Sequence, residues 1–232
     1  MKKFIFLGND TLHRRYFLSR LLEKGVKFEK IFFETNLIKP KFNVHSIFDS
    51  EEKYFEQHNF TNLLDFEINN LATYVDSINS NEVLNFIKTS NIDIAIVFGA
   101  GKVSDEILNS LNFFGLNVHR GIAEEYRGLD SNLWALYHGD IENMGVTIHK
   151  INSQLDTGEI LFQKKIVYPK TVEIFSLRFF ETIESINLVF NAILMLQNDE
   201  IIFRKQNKIG RYYSFMPSCI KNSLTTKKLK KT

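Results

Sequence analysis

The run Ile92 to Phe98, IDIAIVF, constrains the fold most, because after Asp93 it is apolar at every position. A strand without polar alternation is covered on both faces, which fits a central strand of a parallel sheet. The amino-terminal segments agree with an α/β chain. Lys3 to Leu7 reads as a first buried strand. Asn9-Asp10 supplies a cap before a helical run from His13 to Glu23, closed by Gly25, and Phe28 to Glu34 reads as a second strand. Gly8-Asn9-Asp10 lacks the glycine spacing with which a dinucleotide loop approaches a pyrophosphate, so a Rossmann cofactor site is rejected. His13, Arg14 and Arg15 sit in the first helical turn and read as a solvated face, with contact to an anionic substrate as the alternative.

Further elements follow the same logic. Asn81 to Lys88 reads as a helix, and Gly99-Ala100-Gly101 as a small-residue turn after the central strand. Ser104 caps a short helix, Phe113 to His119 is a strand, and Ser131 to His138 is a helix. Ile160 to Tyr168 pairs antiparallel with GVTIHKI if the Asp156-Thr157-Gly158 turn folds it back. Val172 to Leu196 has the period of a long packing helix, and Ile201 to Lys205 reads as a short strand. Pro40 to Ser80 is polar with scattered aromatics, which suggests short helices and loops laid over the sheet. The expected fold is α/β, a mostly parallel twisted sheet with helices on both faces. Residues 1–205 form the expected catalytic domain, and 206–232 a short extension with a basic tail.

Composition narrows the function classes. The 29 basic and 27 acidic residues nearly balance, so no global field points to nucleic acid. A single cysteine, Cys219, excludes an internal disulfide framework, and no cysteine and histidine spacing suggests a metal site. MKKFIFLGND is too short for a signal h-region or a membrane span, which favours a cytoplasmic enzyme. His45 and His58 lack ligand spacing and read as surface or packing residues.

The chemistry concentrates between Gly115 and Asp156. Asn117, His119 and Asp156 each end an apolar run, where α/β sheets bind ligands. In an extended Leu116 to His119, residues two apart share a face, so Asn117 and His119 converge on one small group. An imidazole moves a proton near neutrality, and an amide donates to an oxygen that becomes negative, a combination suited to acyl transfer. Asp156 would orient the ring, hold a water or stabilise positive charge. Taken singly, a core histidine and an ordinary turn explain His119 and Asp156 equally well; the joint arrangement argues for a site. Trp134 reads as core packing, and His138 and His149 receive no role.

These residues carry a resemblance. The run NVH, then Tyr126-Arg127-Gly128, a Trp-containing helix, GVTIH and LDTGEIL resemble the N10-formyltetrahydrofolate-dependent formyltransferase family, most of all its sugar N-formyltransferases. The likeness is strongest over about residues 91–168. It implies Asn117, His119 and Asp156 as the catalytic triad. It also implies N10-formyltetrahydrofolate as co-substrate, held by Val97, Phe98, Gly99, Ala100 and Gly101 and by Ser153, Gln154 and Leu155. Tyr126 and Arg127 are substrate-binding candidates. One segment departs: family members usually read SLLP after the histidine, and here it is Gly121-Ile122-Ala123-Glu124.

What the resemblance implies is formyl transfer to a primary amine on a small substrate. The tRNA-directed members carry an additional carboxyl-terminal β-barrel domain, and little chain follows residue 205 here. Arg211, Tyr212, Tyr213 and Phe215 read first as core closure, yet an aromatic surround with basic side chains suits a nucleotide-linked amino sugar. Glycinamide ribonucleotide or methionyl-tRNA formylation, formyltetrahydrofolate hydrolysis and non-catalytic folate binding stay open as alternatives. A homodimer stays open as the assembly; no nucleic acid, membrane or metal partner is expected.

Overall fold

The computed structural model describes residues 2–36, 39–169 and 172–226, so the basic tail from 227 onward lies outside the described residues. Its centre is a seven-stranded sheet built from β1 (Phe4–Gly8), β2 (Phe28–Glu34), β3 (Ala72–Val75), β4 (Ile94–Phe98), β5 (Phe114–His119), β7 (Gly145–Lys150) and β8 (Ile160–Lys165). The spatial order is β3-β2-β1-β4-β5-β7-β8. The first five are parallel, and β7 and β8 continue antiparallel. The all-apolar run does sit centrally, as its composition requires.

Each face of the sheet carries its own core. On one, α1 (Leu12–Glu23) and the long α7 (Leu177–Gln197) cover Phe4, Phe6, Ile96 and Val118. On the other, α4 (Asn81–Ser90) and α5 (Asp105–Ser110) cover Ile5, Leu7, Ala95 and Val97. Alternate residues of β1 and β4 therefore enter opposite cores, which is why neither strand tolerates polar alternation. The stretch Ile174–Gln197 is long and apolar enough to cross a membrane by length and composition, but ten of the residues of α7 are buried in the protein.

The polar stretch after Pro40 forms α2 (Asp49–Asn59) and α3 (Asp65–Leu71), and also the edge strand β3. That strand is four residues long and half exposed, so it lacks the apolar run by which strands are recognised. Beside the sheet, β6 (Tyr126–Gly128) pairs in parallel with β9 (Arg211–Tyr213) next to α6 (Ser131–Tyr137). A last helix, α8 (Ser218–Ser223), follows.

Three local expectations are corrected. Thr11, not Asn9-Asp10, is the N-cap of α1; Asn9 and Asp10 instead accept from Arg14 and Arg15. The first turn of α1 is not a solvated face: His13 and Arg14 are buried, Arg14 to 6% exposure, against the ring of Phe98. Their position over the carboxyl ends of β1 and β4 outweighs their charge as the determinant of burial. Ile201 to Lys205 is not a strand but a single bridge, Arg204 to Ile160.

Candidate active site

Strands β5 and β7 set out the site. Their register places Asn117 opposite His149 and His119 opposite Thr147. Opposed residues of an antiparallel pair share a face, so all four side chains project to one side. Beyond β7 the chain turns back and delivers Asp156 to them. Asp156 adopts φ +55, a left-handed conformation that aspartate tolerates better than most residues.

The resulting cluster is compact. Asn117 Nδ2 donates to Asp156 Oδ1 at 3.0 Å and to His149 Nε2 at 3.2 Å. Asp156 Oδ2 accepts from the Gly128 backbone N–H at 2.7 Å and lies 3.4 Å from His119 Nδ1. Asp156 Oδ1 is also 3.3 Å from His149 Nε2. His149 Nδ1 lies 2.7 Å from the Lys150 carbonyl and therefore donates, leaving Nε2 as the acceptor for Asn117. The orientation of the Asn117 amide follows: its nitrogen, not its oxygen, faces the carboxylate.

His119 is fixed from its other edge. Its Nε2 donates to the Tyr126 carbonyl at 2.8 Å, so the neutral ring keeps its lone pair on Nδ1, facing Asp156. A proton taken up by His119 therefore lands beside a carboxylate. Burial lowers the affinity of the ring for that proton, as do the charges of His149 and Arg120, while Asp156 and the Tyr126 carbonyl oppose them. Burial alone would raise the Asp156 carboxyl, but the attraction it exerts on a proton at His119 or His149 and the Gly128 N–H hold it well below its ordinary range. Asp156 thus stays ionised at 7% exposure and His119 neutral at 4%.

The loop after His119 wraps under the ring. A Cβ on Gly121 would meet His119 Nε2 at 2.6 Å, so glycine alone lets the loop pass. Thr147 Oγ1 pins this loop by donating to the Gly121 carbonyl at 2.7 Å and accepting from the Ala123 N–H at 3.1 Å.

The other sequence candidates fall into two groups. Register places Val97 beside Asn117, so the Gly99–Gly101 turn leaves the sheet alongside the cluster. Val97 and Phe98 are core side chains and offer only backbone, whereas Gly99, Ala100 and Gly101 reach the surface. The Gly101 N–H is taken by Glu34 Oε2 at 3.0 Å. Ser153, Gln154 and Leu155 are exposed on the turn before Asp156, Leu155 at 45%. Arg127 faces that turn: Nη1 donates to the Leu155 carbonyl at 3.0 Å and Nε to the Gly210 carbonyl at 2.6 Å. The Tyr126 ring is buried and its hydroxyl donates to Asp140 Oδ2 at 3.0 Å, so Tyr126 contributes its carbonyl to the site.

His149 is the member of the cluster to which the sequence assigned no role. Its i,i+2 relation to Thr147 was visible, but its place opposite Asn117 depends on pairing with a strand about thirty residues away. Both amide hydrogens of Asn117 are engaged within the cluster, so one must be released before this residue donates to any other oxygen.

A family model described as formyl transferase matches residues 48–178, more than half of the chain. The methionyl-tRNA formyltransferase of Prochlorococcus marinus (strain MIT 9312) is 33% identical over 138 residues, which cover 57% of this chain and 42% of that protein. That of Thermotoga maritima is 38% identical over 92 residues, 39% of this chain and 29% of the relative. This chain thus spans less than half the length of either relative. Among solved structures, a 4-N formyltransferase from Francisella tularensis superposes with TM-score 0.64 at 17% identity, over 92% of this chain and 76% of that one. The formyltransferase PseJ from Anoxybacillus kamchatkensis, solved with UDP-4,6-dideoxy-4-formamido-L-AltNAc and tetrahydrofolate, gives 0.56 at 20% identity, over 91% and 85%. At these identities the structural likeness speaks for the fold alone.

Proposed function

This chain belongs to the formyl transferase family, and from that premise we propose that it moves a formyl group from N10-formyltetrahydrofolate to the primary amine of a nucleotide-linked amino sugar. The observation that carries the reading is the Asn117, His119 and Asp156 cluster at the carboxyl end of β5, a neutral imidazole held between a carbonyl and an ionised carboxylate. The folate would be held by the backbone of Gly99 to Gly101 and by the Ser153 to Leu155 turn, where exposed Leu155 offers apolar surface to a flat ring. When bound, it supplies an activated formyl carbon.

The side chains then divide the work. An amine attacks as the free base, so its nitrogen gains positive charge while the formyl oxygen gains negative charge. His119 accepts a proton from that nitrogen at Nδ1, Asp156 at 3.4 Å stabilises the imidazolium that forms, and the proton then passes to the departing folate nitrogen as its bond to the formyl carbon breaks. Asn117 turns one amide hydrogen from the cluster to the oxygen. Asp156 retains the Gly128 N–H and so keeps its place while Asn117 lets go.

The amino-sugar acceptor is supported by the ligands bound to the Anoxybacillus fold neighbour, and by Tyr212, 49% exposed beside Arg211. A second reading, methionyl-tRNA, is supported by the names of the sequence relatives. The decisive experiment incubates the protein with N10-formyltetrahydrofolate and a panel of amines. Amino-sugar nucleotides should be formylated, and Asn117→Ala should lower kcat at least a hundredfold, since losing one such donor costs about 2.7 to 4 kcal/mol. Turnover of charged initiator tRNA with none on amino sugars would transfer the reading to the second acceptor; folate turnover independent of any amine would make it a hydrolase.

A further inference from the structure

Glu124 is a buried carboxylate that no step above uses. It accepts four hydrogen bonds: Arg204 Nη1 and Nη2 each donate at 2.8 Å, Gln163 Nε2 at 2.7 Å and the Asn207 backbone N–H at 2.6 Å. The fork of Arg204 matches the carboxylate bidentately, the strongest and most directional form of such a pair. Arg204 is itself joined to the sheet by reciprocal backbone hydrogen bonds with Ile160, at 2.8 and 2.9 Å.

Gln206 lies between the two clamped residues. Its Nε2 donates to the Asp156 carbonyl at 2.9 Å and to the Gly158 carbonyl at 3.0 Å. Its Oε1 is buried without a partner, so the donor pair alone sets the amide's orientation; turned over, the oxygen would face two carbonyls. Downstream, the Gly210 carbonyl holds Arg127, which reaches the Leu155 carbonyl. Segment 204–211 thus holds three carbonyls of the turn that carries Asp156: those of Asp156 and Gly158 directly, and that of Leu155 through Arg127. A non-glycine residue at positive φ persists only when its surroundings over-determine it, and this segment supplies that constraint.

We propose that Glu124 and Gln206 are positioning residues: Glu124 clamps segment 204–211, and Gln206 passes the clamp to the backbone of Asp156, setting how its carboxylate meets His119. The role accounts for the acid at the end of Gly121-Ile122-Ala123-Glu124, where the resembling family usually ends in proline. It rests on formyl transfer at this cluster, and its test includes an arm that needs no turnover.

Gln206→Ala and Glu124→Gln are compared with the parent and with Lys208→Ala, which removes only the ion pair to Glu125 on the same segment. Two quantities are read: kcat and KM with N10-formyltetrahydrofolate and an amino-sugar nucleotide, and the imidazole resonances of His119 in the substrate-free protein. The first two variants should lower kcat roughly tenfold to a hundredfold, as small misplacements of reacting groups do, with KM for the folate within about threefold. They should also shift the His119 resonances, and Lys208→Ala should do neither. Should Glu124→Gln lose its fold, Gln206→Ala, which removes no charge, carries the test. His119 resonances unmoved in Gln206→Ala would overturn the positioning role, whatever the kinetics. Shifted resonances in a protein that transfers no formyl group would leave the role standing and remove the proposed activity.

Discussion

Asn117 and His149 face each other across the β5–β7 pair, with Asn117 Nδ2 3.2 Å from His149 Nε2, and this contact together with Asp156 Oδ1 at 3.0 Å decides which way the amide points. His149→Ala should leave the Asn117 amide held by Asp156 Oδ1 alone, with its second N–H no longer aimed. Since one hydrogen bond is worth about 1 kcal/mol, kcat should fall roughly fivefold to tenfold, more than the folate KM changes. Steady-state kinetics with the formyl donor check this; kcat within twofold of the parent would make His149 a bystander.

Asp156→Asn tests the carboxylate by its charge. Asparagine keeps an acceptor for the Gly128 N–H but removes the negative charge facing His119 Nδ1. The imidazolium then lacks its counter-charge, and kcat should drop at least about a hundredfold with the fold intact. Parent-like kinetics at all pH values would reduce Asp156 to a turn residue.

Glu52 gives a pH signature. Burial, reinforced by Glu56 and Glu181, raises its carboxyl to about 7 in spite of Arg178, from an ordinary 4.5. A group raised on folding binds its proton more tightly in the native state, so its stabilising contribution is present below 4.5 and lost as pH rises through 7. His13 and His119, lowered by burial, slope the other way, so single-protein curves conflate them. The difference between Glu52→Gln and the parent isolates the acid. Relative to pH 5, the variant should gain on the order of 2 kcal/mol over the parent by pH 8 in denaturant titrations. A pH-independent difference would contradict the raised carboxyl.

Gly99→Ala should destabilise the protein. Gly99 has φ +69, and a Cβ there would overlap the Arg14 guanidinium, which is bound to Asn9 and Thr11. The left-handed backbone alone costs about 1 kcal/mol for alanine, and displacing a buried cation adds to it. Denaturant unfolding should show a loss above about 1.5 kcal/mol, and a loss under 0.5 would show that Arg14 yields without cost.

The central strand β4, the shared face of Asn117 and His119, and the turn that carries Asp156 were all legible in the sequence itself. These are local properties: an apolar run and a period of two are written in consecutive residues. The remaining contacts came from long-range packing. His149 joined the site through the register of an antiparallel pair, and Arg14 was buried because α1 lies over the ends of β1 and β4. Arg127 became a tie between two carbonyls, and Glu124 met a guanidinium eighty residues away. Such contacts depend on which distant segments the packed sheet brings together, and no spacing along the chain encodes them.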